Sequence, residues 1–344
     1  IKVAILGFSP QETPIAAHPK NVEGMTFADP IETAKQLVKI PEIQNADLIM
    51  ALTHIGAEID RKLAAAVPEI DVIVGGHSHT LIDQAEKIGN TIYVQTGEYG
   101  QYLGRLDLTI SNGQVVASNY KLLPVDTSLT PVAGVQALID NYNAGLKDMM
   151  STVVGETYTD LDGARENVRT RETNLGNFIA DLMRQAVGAD IALENGGGIR
   201  ASIPKGEVTI GDIYTVLPFD NTLVLIEATG EQIWKALEVS VSNYPEQSGG
   251  FLQVSGLSFV FDPNMPAGQR VVSVTVGGAP LDLAKTYKVA LNDFTAAGGD
   301  GYDVLKDAKV LADTGIMLRD VAVEHFQSVK GINPQIEGRI TLKK

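Results

Sequence analysis

The chain has 344 residues, 42 acidic against 27 basic, and no cysteine. Its net charge of −15 opposes binding to a nucleic-acid polymer, and the lack of cysteine excludes a disulfide scaffold, a thiol nucleophile, a zinc–thiolate centre and an iron–sulfur cluster. With 44% hydrophobic and 20% charged residues, the composition is that of a globular protein of about two domains, and no apolar run approaches a membrane span.

Taken in chain order, residues 1–125 alternate strand and helix signals. An apolar strand over 3–8 precedes a helix over 31–40, with Ile31, Ala34, Leu37 and Val38 on one face. Strands over 47–53 and 71–74 flank a helix over 57–66. Apolar strands alternating with helices predict a sheet buried on both faces. Beyond residue 90 the pattern turns β-rich, with strands over 91–95, 104–110 and 115–123 and a hairpin turn at Asn112-Gly113. Val132, Val135, Leu138, Ile139, Tyr142, Leu146, Met149 and Met150 recur at helical steps and predict an amphipathic connector over 131–150. A second α/β region follows over 152–344. It has helices over 174–186 and 230–242, the latter carrying Trp234 as a core residue, and strands over 189–194, 222–227, 256–261, 270–276 and 287–291. The chain opens inside a strand without Met, which reads as a fragment or a processed product.

Histidine is scarce, and His54, His77 and His79 each follow an apolar strand. Ligands collect at the carboxyl ends of strands in a parallel sheet, and neutral imidazole is the commonest metal ligand. His77 and His79 are two apart, so an extended backbone would aim both rings to one side, and Gly75-Gly76 permits a close turn. The same three residues also fit unrelated loop positions satisfied by backbone carbonyls. A two-metal phosphoester site needs a bridging carboxylate, and the sequence contains neither Asp-x-His nor Gly-Asn-His.

Asn195-Gly196-Gly197-Gly198-Ile199-Arg200 follows a strand but matches neither a Walker loop nor a dinucleotide fingerprint. It fits a tight turn as well as a ligand loop in which Gly197 approaches the ligand, Asn195 meets a base edge and Arg200 clamps an anion. Arg165, Arg169, Arg171 and Arg200 concentrate positive charge in an acidic chain, as a solvated face or a phosphate pocket. Phe219 and Phe294 each stand beside turn residues, suited to core packing or to stacking on a nucleobase, and Asp300 lies in a glycine loop where it can accept ribose hydroxyls.

Several segments together resemble the 5′-nucleotidase family of secreted metallophosphoesterases. They are Ala51-Leu52-Thr53-His54-Ile55-Gly56, Gly75-Gly76-His77-Ser78-His79-Thr80, Arg169-Thr170-Arg171-Glu172-Thr173-Asn174-Leu175-Gly176-Asn177, the run Asn195 to Arg200, Leu217-Pro218-Phe219, Gly250-Phe251-Leu252-Gln253-Val254-Ser255-Gly256 and Gly298-Gly299-Asp300-Gly301, in the family's order and across nearly the whole chain. The resemblance implies an α/β fold, α+β in its C-terminal domain. The C-terminal half of a calcineurin-like metallophosphoesterase sandwich would occupy 1–128, a linker helix 129–151, and the nucleotide-binding C-terminal domain 152–344. It implies His54 and His77 as ligands of one divalent ion and His79 of another, with zinc, manganese or cobalt as candidates. Arg169 and Arg200 would be phosphate-binding and catalytic, Asn195 would contact the base, Gly197 the substrate, Phe219 and Phe294 would sandwich the base, and Asp300 would bind the ribose.

The implied activity is metal-dependent hydrolysis of nucleoside 5′-monophosphates, extending to di- and triphosphates or nucleotide sugars. Alternatives are a 2′,3′-cyclic-nucleotide 2′-phosphodiesterase with 3′-nucleotidase activity, and a non-catalytic nucleoside-binding fragment. The family's first half of the metal domain, with its bridging Asp and catalytic histidine, has no counterpart in the sequence, so an incomplete metal site is expected, completed by a separate N-terminal piece. The implied location is extracytoplasmic, and the implied partner is a nucleotide or nucleoside rather than a nucleic-acid polymer or a membrane span.

Overall fold

The computed structural model describes residues 1–17, 21–111, 113–329 and 331–343. The fold is mixed α/β and divides into two compact units, one of Ile1–Pro14 with Val22–Val135 and one of Ile15–Asn21 with Gln136–Lys344.

In the first unit, β1 (Val3–Phe8), β2 (Leu48–Thr53), β3 (Val72–Val74), β4 (Glu86–Ile88) and β5 (Thr91–Val94) form a sheet ordered β1-β2-β3-β5-β4. All its pairings are parallel except β4 with β5. Its strands bury Leu6, Ile49, Ala51 and Ile73 against the helices Pro30–Leu37 and Ala57–Ala66. The other face buries Leu48, Val72, Ile92 and Val94 against the hairpin β6 (Tyr102–Ser111) and β7 (Gln114–Pro124), which presents Leu106, Leu108 and Ile110. Gly113 takes the left-handed conformation of the hairpin turn, at φ +70°, while Asn112 lies outside the described residues. The helix predicted over 31–40 ends at Leu37 and tightens into turns, with Lys39 N donating to Gln36 O and Ile40 N to Leu37 O, before Pro41 ends the helical course. The residue before a proline is barred from helical ψ, and Ile40 accordingly sits at ψ 128°.

The helix Ala133–Met150 forms where the periodicity predicts it, yet none of its residues is buried.

The second unit contains β8 (Val153–Thr157), β9 (Ile191–Asn195), β10 (Gly206–Thr209), β11 (Thr222–Thr229), β12 (Leu252–Ser255), β13 (Leu257–Phe261), β14 (Val271–Val276), β15 (Ala279–Pro280), β16 (Thr286–Asn292), β17 (Lys309–Met317) and β18 (Ile340–Leu342). Its central sheet is ordered β12-β9-β16-β11-β17, with β9 and β16 parallel and the other pairs antiparallel. Alternation along each strand splits the core in two. Ala192, Leu223, Leu225 and Ala290 face the helices Asn174–Ala186 and Leu318–Ser328. Ile191, Leu193, Val224, Val289 and Leu291 face the helix Gly230–Ser240 and the second sheet, β15-β14-β13-β18. Trp234, predicted as core, is partly buried and packs against this second cluster.

Register fixes what leaves the central sheet at one end. Leu252 of β12 pairs with Asn195, the last residue of β9, and Leu223 near the start of β11 pairs with Asn292, the last residue of β16. The parallel β9 and β16 finish together. The segments 195–200, 217–222, 248–251 and 293–301 are therefore brought to the same edge of the core.

Candidate functional site

In the first unit the three histidines follow β2 and β3 at the carboxyl end of the parallel sheet. His54 and His77 meet edge to face, with ring centroids 5.0 Å apart. Nε2 of His77 lies 2.8 Å from Oε1 of Glu12, and this hydrogen bond is the main cause that holds the Glu12 carboxyl below its ordinary range. His79 turns elsewhere, toward the Glu98 carboxylate and the Tyr99 ring, 6.0 Å from centroid to centroid. An extended backbone aiming both rings to one side does not form. His77 and His79 adopt left-handed φ values of +73° and +58°, and the Ser78 amide bonds back to Gly76 O at 2.9 Å. Left-handed backbone in residues other than glycine costs energy and is held only by its surroundings. Here the hold is Ser78, whose Oγ accepts from the Ala57 amide at 3.0 Å and lies beside Gln95. Below the loop, the buried Asp60 accepts from Thr53 Oγ1 at 2.6 Å, and burial lifts its pKa to about 6. Gly75 is obligatory, because a Cβ there would lie 2.6 Å from Asp60 Oδ2 and 2.7 Å from the Tyr93 ring.

As a donor set for divalent ions the fit is partial. Two imidazoles converge, but no group of three His, Asp or Glu side chains able to hold an ion forms among the described residues.

In the second unit the predicted residues gather at the shared end of the central sheet. The glycine run packs backbone on backbone, with Gly196 N donating to Phe251 O and Gly197 N to Gly249 O, both at 2.7 Å. A Cβ at Gly196 would lie 2.4 Å from Val168 O, which brings the turn before Arg169 against the run. That turn is also tied to β12: Nε2 of the buried Gln253 donates to Val168 O at 3.0 Å and to Arg171 O at 2.7 Å. Arg169 itself accepts at its carbonyl from the Ser248 amide. Arg200 stands 5.8 Å from the centroid of the Phe219 ring, which is 49% exposed, and its Nη1 reaches Gly197 O at 3.4 Å. Arg165 approaches Gln247, and Arg171 bonds the Asn167 side chain within its own turn.

Two further ties fix the aromatic loops. Oδ1 of Asp293 accepts from Asn221 Nδ2 at 2.9 Å and from the Thr222 amide at 3.2 Å, joining the Phe219 loop to the turn that carries Phe294. Arg319 clamps the outer side of the Phe219 loop through Asp220 and, at 3.3 Å, Phe219 O. The Phe294 ring lies against Gly299, where a Cβ would come within 2.5 Å of it. Asp300 takes a left-handed φ of +54° and turns its carboxylate toward Gly249.

Asn195 does not present a free amide edge. Its Nδ2 donates to Asp300 Oδ2 at 2.7 Å, and its Oδ1 accepts from Asn292 Nδ2 at 2.8 Å. Asn292 also donates to Glu194 Oε2 at 3.0 Å and caps the following helix by accepting from the Thr295 amide at 2.8 Å. Sequence reasoning missed Glu12, Glu98, Glu194, Asn292 and Arg319, and met Gln253 only as part of a segment resembling the family. Of these only Asn292 carries a local signal, as an N-cap before Asp293.

The family model described as 5′-nucleotidase, C-terminal domain, matches residues 153–307. The trifunctional nucleotide phosphoesterase protein YfkN of Bacillus subtilis is 41% identical over 98% of the chain, which spans 24% of that protein. The 5′-nucleotidase of Diplobatis ommata is 32% identical over 98% of the chain, which spans 65% of it. The crystal structure of the 5′-nucleotidase precursor from Thermus thermophilus superposes with a TM-score of 0.90 at 38% identity, over 99% of this chain and 72% of that one. The chain belongs to the 5′-nucleotidase family.

Proposed function

We propose that the chain is the nucleotide-binding and partial metal-binding portion of a phosphoric monoester hydrolase that releases phosphate from nucleoside 5′-monophosphates. The observation that carries this reading is the convergence of Arg200, Phe219, Phe294 and the Asn195–Asp300 pair at one end of a single sheet. That edge offers what a nucleotide requires. The rings supply stacking faces that tolerate any base, the Asp300 carboxylate accepts from ribose hydroxyls, and the guanidiniums of Arg169 and Arg200 donate in a planar fork to phosphoryl oxygens. Gly197 lets the glycine run lie close on Gly249, whose Cα would be 3.1 Å from a Cβ there, and offers its backbone to the ligand. Asn195 acts on the ribose acceptor Asp300 through its amide rather than by reading a base edge.

His54, His77 and His79 would each give an imidazole to the metal centre of the whole enzyme. Divalent ions bound there supply positive charge at the phosphoryl group and an activated water. The domain limits proposed are 1–128, 129–151 and 152–344, with the first completed by an N-terminal piece. The name of the Thermus thermophilus relative, a precursor, supports an extracytoplasmic location. No helix among the described residues is long and apolar enough to cross a membrane.

A broader specificity has one observation in its favour, the name of the 41% identical Bacillus subtilis relative as trifunctional. The test of both readings is phosphate release from AMP, 3′-AMP and 2′,3′-cyclic AMP by the full-length protein loaded with manganese, cobalt or zinc. Turnover of AMP is expected, with loss by orders of magnitude in His77→Ala and in Arg200→Ala. Near-normal turnover in both variants would remove these residues from the reaction, and turnover confined to the cyclic and 3′ substrates would replace the first reading with the second.

A further inference from the structure

Glu194 is enclosed at 1% exposure near the end of β9, beneath the glycine run. We propose that Glu194 is a positioning residue whose buried carboxyl holds the Asn292–Asn195–Asp300 chain in place, and through it the carboxylate that receives the ribose hydroxyls. This rests on reading that end of the sheet as a nucleoside site.

The carboxyl sits where two loops meet. Its Oε1 fills the space beneath the glycine run, 2.4 Å from where a Cβ of Gly198 would be. Its Oε2 takes one of the two Asn292 Nδ2 protons, and Asn195 Oδ1 takes the other. Asn195 then spends a proton of its own amide on Asp300 Oδ2. Each amide in this chain has one orientation that satisfies its neighbours, and at the inner end Glu194 holds the Asn292 Nδ2 that the Thr295 amide, donating to Oδ1, turns toward it. Asp300, strained at φ +54°, depends on that selection.

The charge state of the carboxyl follows from its surroundings. Burial raises its pKa to about 8; the Asn292 hydrogen bond opposes this, and Asp300 and Asp293 add to it. Around it, the turn after β16 presents Asp293 and Asp300, with the buried Tyr302 hydroxyl donating to Gly250 O just beyond. Arg200 lies across the glycine run, and β12 contributes the neutral Gln253. From the helix Asn174–Ala186 and its approach, Glu172 is bonded by Asn177 and the Glu337 amide, and Asp181 by Arg339. The carboxyl is neutral below about pH 8. Above it, a third anion joins Asp293 and Asp300, draws on Asn292 and disturbs the amide chain that fixes Asp300. The ribose contact weakens, whereas stacking on Phe219 and Phe294 does not involve the chain.

The test is calorimetric titration of the 344-residue protein with adenosine and with 2′,3′-dideoxyadenosine, neither of which titrates between about pH 6.5 and about pH 9.5. In the wild type the preference for adenosine should shrink about tenfold across that range, the size of one hydrogen bond to a charged group. In Glu194→Gln, which keeps the shape and cannot ionise, the preference should stay constant. In Glu194→Ala it should be lost at both ends of the range. If thermal melting shows that the Ala variant does not fold, the profile of Glu194→Gln decides alone. A wild-type preference that does not change with pH, or one that changes equally in Glu194→Gln, overturns the role of Glu194 and leaves the nucleoside site standing. No adenosine binding by the wild type at any pH overturns the nucleoside reading and this role with it.

Discussion

In the first unit His77 and His79 stand partly exposed on a loop bent into left-handed backbone, His54 is exposed after β2 with its ring against His77, and Glu12, Glu98 and Tyr99 meet the other two rings through their side chains. In the second unit Glu194, Asn195 and Asn292 are buried, and backbone meets backbone at Gly196 and Gly197. On the roles proposed above, the contrast follows from what each would hold. A metal ion organises its own ligands and releases protons as it binds, so imidazoles can wait in approximate places. A nucleoside brings only stacking and a few hydrogen bonds, so its acceptors must be set in advance.

Substitutions can break this contrast, and the largest effect should come where backbone is packed on backbone. Gly196→Ala would drive a Cβ to 2.4 Å from Val168 O, with no flexible end to move. Loss of adenosine binding is expected, with a stability loss of about 3 kcal/mol by urea denaturation, the upper end for overpacking because the clash is with backbone. Near-normal binding would mean that the run is looser than its spacing shows.

Next in size is a pH effect in the first unit. The Asp60 carboxyl, lifted by burial from its ordinary 3.8 to about 6, binds its proton more tightly folded than unfolded. The stability this gives is fully present below about pH 4 and is lost as pH rises to about 6, on the order of 2–3 kcal/mol. Asp60→Asn should therefore gain on the wild type as pH rises through that window. Parallel urea midpoints at all pH values would show that Asp60 does not carry the effect.

Phe294→Ala should weaken adenosine by roughly 1–3 kcal/mol, about five- to 150-fold. Equal affinity for variant and wild type would return the ring to packing on Gly299. The smallest effect belongs to Gly76→Ala, whose Cβ would meet the His54 ring at 3.1 Å. A shift of His54 chemical shifts is expected, with stability changed by about 1 kcal/mol at most, because the ring and Thr53 O, 3.2 Å from the same Cβ, need give by only a few tenths of an ångström. A loss as large as that of Gly196→Ala would erase the contrast between the units.

Much of the fold was legible where local signals are strong. The strand Val3–Phe8 and the helices Ala57–Ala66 and Asn174–Ala186 lie where their periodicity places them. The strand Leu252–Ser255 was not legible as a strand, since its polar Gln253 and Ser255 are buried by partners remote in sequence, the carbonyls of Val168 and Arg171 and the Arg184 side chain. The helices Ile210–Val216 and Leu318–Ser328 were likewise unmarked. At the candidate sites the residue types could be read, but their conformations could not. Nothing local in Gly-Gly-His-Ser-His announces left-handed backbone at both histidines, and nothing in Asn195 announces that its amide is shared between Asn292 and Asp300.

The nucleoside site proposed in the second unit is set in advance and does not depend on the metal ligands. Its most direct measurement is calorimetric titration of the 344-residue protein with adenosine in the presence of a chelator and again with added zinc. One site of equal affinity under both conditions is predicted. No binding, or binding that appears only with zinc, would contradict it.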